Sequence, residues 1–174
     1  MFVVEILAKI FKILRSGESP NKIAAGFTMG MIIGMTPFMT FHNLVLILLI
    51  IILKVNLASS LFAFAIFSGL AYLFDPWFHS IGYFLLADVT FLHDFWTMLY
   101  SFPLLALSRY NNTVVTGSLA LSLIFILPVF PFAKYFVVYY REKLDPRLQK
   151  LKIVKIVKGS KFYSLYEKYK GLGE

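Results

Sequence analysis

Residues 24–38 read AAGFTMGMIIGMTPF, with Gly26, Gly30 and Gly34 at a constant spacing of four and Pro37 closing the pattern. An interior glycine destabilises a helix in water by about 1 kcal/mol relative to alanine. Three in register are tolerated only where something close-packed needs the missing side chains. Within a bilayer, helix association relies on close packing and backbone approach, and glycines at i, i+4 and i+8 make a smooth groove along one side of a helix. The chain supplies the setting for such a groove, being 59% hydrophobic and only 15% charged, where a soluble domain is roughly half apolar and a quarter charged. A core built from 174 residues cannot hide that excess, so it must face lipid. The fold expected is an all-α integral membrane protein.

The order of elements follows from breaks in the apolar pattern. Residues 1–18 form an interfacial amphipathic helix, because Glu5, Lys9, Lys12 and Ser16 make one polar stripe on a surface of Phe, Val, Ile and Leu. A helix packed on the rest of the protein fits the same stripe. The membrane domain spans 19–140. Ser19 caps a helix over 20–36 that has Pro20 in its first turn, and at ~1.5 Å per residue it reaches about 24 Å, short of a ~30 Å hydrocarbon core. A second marginal helix covers 38–53, so the two make a Gly-rich hairpin that either crosses the membrane or re-enters it. Two further transmembrane helices are expected over 55–74 and 113–140, the latter containing Pro128 and Pro131. Asp75 and Pro76 read as the start of a new element, with short interfacial helices in 75–112. Residues 141–174 form a basic amphipathic tail in which Leu144, Leu148, Leu151 and Val154 alternate with lysines.

Charge sets the orientation. If residues 1–22, Lys54 and 134–174 share one face, that face holds 16 of the 17 Lys/Arg and leaves Arg109 alone on the other. The positive-inside rule makes the first face cytoplasmic, with both termini inside and 75–112 outside. The same rule accounts for the net charge of +8 without nucleic acid, so none is expected as a partner. The chain has no Cys, which excludes disulfides and thiolate metal sites.

Candidate functional residues gather at two places. Gly26, Gly30, Gly34 and Pro37 form the groove, whose obvious occupant is the returning run 38–53, although a partner helix or a lipid chain fits it equally. Thr36, Thr40, His42 and Asn43 cluster at the hairpin tip, where polar groups within hydrocarbon mark a ligand site or a pathway lining. Arg109, followed by Asn111 and Asn112 at the mouth of the last helix, suits a phosphate or headgroup contact. A salt bridge to Asp75, Asp88 or Asp94 is the plainer expectation, because a lone charge near low dielectric seeks a partner. His93 and Asp94 with Asp88 and Asp75 could build a metal or acid/base site on the outer face, but ordinary capping explains Asp75 and Asp94. No H-E-x-x-H, P-loop, G-x-S-x-G or dinucleotide fingerprint occurs. No catalytic residue, metal or cofactor is expected.

The run SPNKIAAGFTMGMIIGMTPFMTFHNLVLILLIIILKVNLASSL, residues 19–61, resembles the bacterial membrane family catalogued as domain of unknown function 2062. LFDPWFHSIGY, SRYNNTVVTGS and SKFYSLYEKY are similar to a full-length subfamily of about this size. The resemblance implies an inner (cytoplasmic) membrane protein of bacteria that have an outer membrane, often encoded beside a much larger envelope protein. It supplies no catalytic residues. The reading that follows is a non-enzymatic subunit that anchors or partners a larger envelope protein in a hetero-complex among membrane lipids, in phospholipid transport toward the outer membrane. The alternatives are a small oligomeric transporter or channel using the hairpin tip, and an enzyme acting on lipid through His79, His93 and the aspartates.

Overall fold

The computed structural model describes residues 10–106 and 108–146, and every regular element among them is helical. Most of the expected N-terminal helix and most of the basic tail lie outside the described residues. Residues 10–14 are helical. Contacts divide the chain into two compact units, Met1–Tyr135 and Phe136–Glu174.

Helix α1 is Pro20–Met35. Ser19 stands before it in an extended conformation and its hydroxyl accepts the Lys22 N–H at 3.3 Å, while Pro20 loses no bond in the first turn. The helix stops at Thr36, which is extended (φ −100°, ψ 152°) because a residue preceding proline is pushed out of the helical region. Helix α2 is Phe41–Ile52, beginning three residues later than the sequence pattern implies. Residues 37–40 are instead a turn held by side chains.

Helix α3 is Leu57–Tyr83, capped by Asn56, whose Oδ1 accepts the Ser59 N–H at 2.6 Å. Asp75 and Pro76 therefore start no new element, contrary to the expected end at 74. Proline removes one backbone bond, but the turns beyond it are held by packing: Phe78 is fully buried and Gly82 lies against the next long helix. A π-helical turn at Phe84–Asp88, a 3-10 turn at Thr90–Leu92 and the short helices α4 (His93–Tyr100) and α5 (Pro103–Ala106) follow. The Trp96 Nε1–H donates to the Leu85 carbonyl at 3.0 Å, tying this segment together. Helix α6 is Thr113–Tyr139, with Pro128 and Pro131 inside it. Among the described residues, helices α3 and α6, with the turns that continue them, are the two long enough and apolar enough to cross a membrane.

The glycine groove is filled by α3, which corrects the expected occupant. A Cβ built on Gly26 would collide with the Asn56 carbonyl, one on Gly30 with the Ser60 carbonyl, and one on Gly34 would stand 2.8 Å from the Phe64 carbonyl. Ascending positions meet ascending positions, so α1 and α3 run in the same direction. The physical reason lies in side-chain size: α3 opens with Ala58, Ser59, Ser60 and Ala63, whereas α2 is a run of Leu, Ile and Val that would hold two backbones apart. Hydrogen bonds cross the seam where the backbones touch. The Asn56 N–H donates to the Lys22 carbonyl at 3.2 Å and the Ser59 hydroxyl to the Ile23 carbonyl at 2.9 Å. Farther along, Met31, Ile32 and Met35 of α1 form the apolar centre with Phe78 of α3.

A second small-residue crossing joins α3 to α6. A Cβ on Gly82 would strike the Thr113 carbonyl and one on Gly117 the Phe78 carbonyl, so these helices run in opposite directions. Leucine at Gly82 or Gly117 is expected to separate them, and the fraction of solubilised protein eluting as a single species should fall at least several-fold. A wild-type elution profile for both variants would refute the crossing. In the second unit, the Tyr140 hydroxyl donates to Asp145 Oδ1 at 3.2 Å and the Lys143 ammonium lies 5.6 Å from the Tyr139 ring centre.

Candidate functional site

The turn between α1 and α2 is built almost wholly by its own side chains. Asn43 is fully buried, and its Nδ2 donates to the Pro37 carbonyl at 3.0 Å and lies 3.3 Å from that of Phe38. Its Oδ1 stands 3.0 Å from the Thr36 hydroxyl, which also lies 2.9 Å from the Ile32 carbonyl and, having one hydrogen, donates to one of them at a time. Thr40 Oγ1 is 3.1 Å from the Pro37 carbonyl and 3.0 Å from His42 Nε2. A hydroxyl donating to Pro37 accepts from the imidazole, which puts the ring proton on Nε2. The buried His42 Nδ1 has no partner and is then a bare acceptor, less costly to leave unpaired than a buried N–H. The predicted tip residues Thr36, Thr40, His42 and Asn43 thus do come together, mainly to bond one another and the turn.

The mouth of α6 is assembled in the same way. Asn112 Oδ1 accepts the Val114 and Val115 N–H groups at 2.9 and 3.2 Å, so this residue is the helix cap. Thr116 donates to the Tyr110 carbonyl at 2.6 Å, and His79 Nδ1 lies 2.7 Å from the Thr113 hydroxyl. Arg109 adopts a left-handed backbone (φ 56°) that turns the chain, and it is exposed. Asn111 is exposed beside it. Among the described residues Arg109 makes no salt bridge to Asp75, Asp88 or Asp94.

Sequence spacing gave no sign that these two places meet. The His42 ring stacks on Tyr110, with centroids 6.3 Å apart and planes 23° from parallel. Tyr110 joins the loop carrying Arg109 and Asn112 to the hairpin tip. A groove of about 290 Å³ beside the tip is lined by Thr36, Pro37, Phe38, Tyr72, Asp75 and Val114, among others. This is at the lower limit of small-molecule pockets, roughly 300–1,000 Å³. Asp75, expected as a cap, is the one carboxylate on its wall. Farther out, no three of the His, Asp and Glu side chains among the described residues come close enough to share a metal ion, so His79, His93, Asp88 and Asp94 do not converge.

Comparison with known proteins assigns no chemistry to the chain. A protein of Treponema pallidum (strain Nichols) described as "Uncharacterized protein" is 23% identical over 158 residues, covering 91% of this chain and 97% of that relative. No solved structure matches the chain. Residues 6–144 match the family described as "Uncharacterized protein conserved in bacteria (DUF2062)", and since the match takes in the groove, the hairpin and both long helices, the chain belongs to that family.

Proposed function

We propose that this chain is a non-enzymatic inner-membrane subunit that anchors or partners a larger envelope protein, in phospholipid transport toward the outer membrane. The observation that carries the reading is the outward face of α2. Leu44, Leu48, Ile51 and Ile52 are 50–69% exposed on a helix only 12 residues long. At ~1.5 Å per residue it covers about 18 Å and cannot span the hydrocarbon core by itself. A short apolar helix held against the side of a bundle leaves a step in the lipid-facing wall, and a second protein's helix fills such a step better than disordered chains do.

Further features agree. Only 17% of the most apolar window of the α3 span and 28% of that of the α6 span is buried within the chain, leaving wide apolar surface for lipid and partner. The bond from Asn56 N–H to the Lys22 carbonyl brings Lys22 and Lys54 to one end of the hairpin, which fits a cytoplasmic placement of that end. The bonds made by Thr36 and Asn43 within the turn argue against these two as a pathway lining, since a lining group keeps its polar atoms free for the passing solute; at the tip only His42 Nδ1 is left without a partner. The groove beside Asp75 favours the transporter alternative only if an oligomer encloses it.

The test is site-specific photocrosslinking in native membranes with a benzophenone side chain at Leu48, compared with one at Leu73 on α3. A stoichiometric adduct to one large envelope protein from Leu48 alone is expected. Adducts to lipid alone from both positions would remove the partner reading.

A further inference from the structure

A second cavity lies away from the tip, between residues 10–16 and the first half of α3, and its volume is about 1060 Å³. Its walls are apolar, with Ile10 and Ile13 on one side and Leu61, Phe62, Ala65 and Ile66 on the other. Polar groups occur at Lys12 and Ser16 on the first wall and at Asn56, just before α3 begins. From Asn56 to Ile66 the helix advances about 15 Å. On the α3 wall the cavity is therefore polar at one end and apolar for most of its length.

We propose that this cleft holds one anionic phospholipid, with an acyl chain laid along α3 and the phosphate at the Asn56 end. Three observations specify the occupant. The gradient of the α3 wall is that of an amphiphile, and the polar end coincides with the end of the hairpin where the Lys22 backbone is bonded to Asn56, two residues after Lys54. The charge near that end is mostly positive: Lys12 lines the cleft, and Lys22 and Lys54 flank it in the chain at the bond from the Asn56 N–H to the Lys22 carbonyl, against the carboxylate of Glu18, whose Oε1 bonds Asn56 and whose Oε2 is buried without a partner. The polar end is also preformed. Asn56 is 5% exposed and fixed by Glu18 Oε1, 3.0 Å from its Nδ2, and by the Ser59 N–H. One of the two Nδ2 hydrogens goes to Glu18, which leaves the other for a headgroup oxygen. The positive end of the α3 dipole acts in the same direction.

This binding needs no protein partner and is tested on the isolated full-length chain, so its failure and that of the subunit reading are distinguishable. Native mass spectrometry of detergent-purified protein with added phosphatidylglycerol or phosphatidylcholine is the measurement. One phosphatidylglycerol per chain is expected, retained at least five-fold more than phosphatidylcholine. Ala65→Trp, which fills the apolar part, should reduce retention of both at least ten-fold. Lys12→Gln, at an exposed position where folding is not at stake, should bring the ratio of the two lipids close to one. Equal retention of both lipids by the wild-type chain, or a Lys12→Gln chain with an unchanged ratio, would overturn the proposal. So would a photocrosslink from Ile66 that captures a peptide and no lipid.

Discussion

Gly30→Leu is expected to lower the apparent melting temperature of the purified protein by on the order of 10 °C and to strip most of it from the monodisperse peak. Overpacking a core site costs ~1–3 kcal/mol where side chains can give way, and more where they cannot. In a chain of this size each kcal/mol moves the midpoint by about 2–4 °C. At Gly30 nothing can give way: an added Cβ would meet the Ser60 carbonyl, with the Ser60 carbonyl carbon and Cα at 2.7 and 2.8 Å. Helix α3 would have to withdraw from α1, breaking the bonds at Ser59 and Asn56 with it. Gly69→Leu is the control, because a Cβ there meets nothing within 4 Å, and it is expected to melt within about 2 °C of the wild-type chain. Thermal unfolding followed by fluorescence-detected size exclusion reads both. Equal behaviour of the two variants would show that the α1 and α3 backbones do not touch.

The second large effect is expected at the tip. Asn43→Asp preserves shape but replaces the donor Nδ2 with an oxygen facing the Pro37 and Phe38 carbonyls at 3.0 and 3.3 Å, at a fully buried position. A buried carboxylate left without a charge partner, with only the Thr36 hydroxyl to donate to it and one oxygen facing two carbonyls, destabilises by roughly 3–5 kcal/mol. Asn43→Ala removes the bonds without adding charge, and at about 0.5–1.5 kcal/mol per bond it should destabilise less. The expected order of melting temperatures is wild type, then Asn43→Ala, then Asn43→Asp. This experiment also separates the subunit reading from the transporter alternative. A residue lining a water-filled pathway accepts a carboxylate readily, so an Asn43→Asp chain as stable as the wild type would mean that the tip opens to solvent, in favour of the transporter alternative.

How much of this site was legible depends on the range of the interaction. Local bonding could be anticipated: Ser19 before Pro20 caps α1 as its position requires, and the grouping of Thr36, Thr40, His42 and Asn43 follows from their nearness in the chain. Asn112, which beside Arg109 suits a headgroup contact, uses its Oδ1 to cap α6, a role that residues before a helix commonly take. The stacking of His42 on Tyr110 spans 68 positions and leaves no periodic trace. Gly82 and Gly117 leave no periodic pattern in the sequence, and only their juxtaposition makes a crossing.

Proline 76 shows the opposite error. Asp-Pro is a strong local signal for a helix start, yet the backbone continues, because the burial of Phe78 and the contact at Gly82 outweigh one lost hydrogen bond. The sequence by itself determined the class of fold, the two long helices, the capped start of α1 and the need for a close backbone neighbour along Gly26, Gly30 and Gly34, since composition, caps and spacing act locally. Only the tertiary structure decided that this neighbour is α3, that Tyr110 reaches the tip, and that a cleft opens beside residues 10–16. The groove's shape is set by one helix, but which helix fills it depends on the size complementarity of all the others.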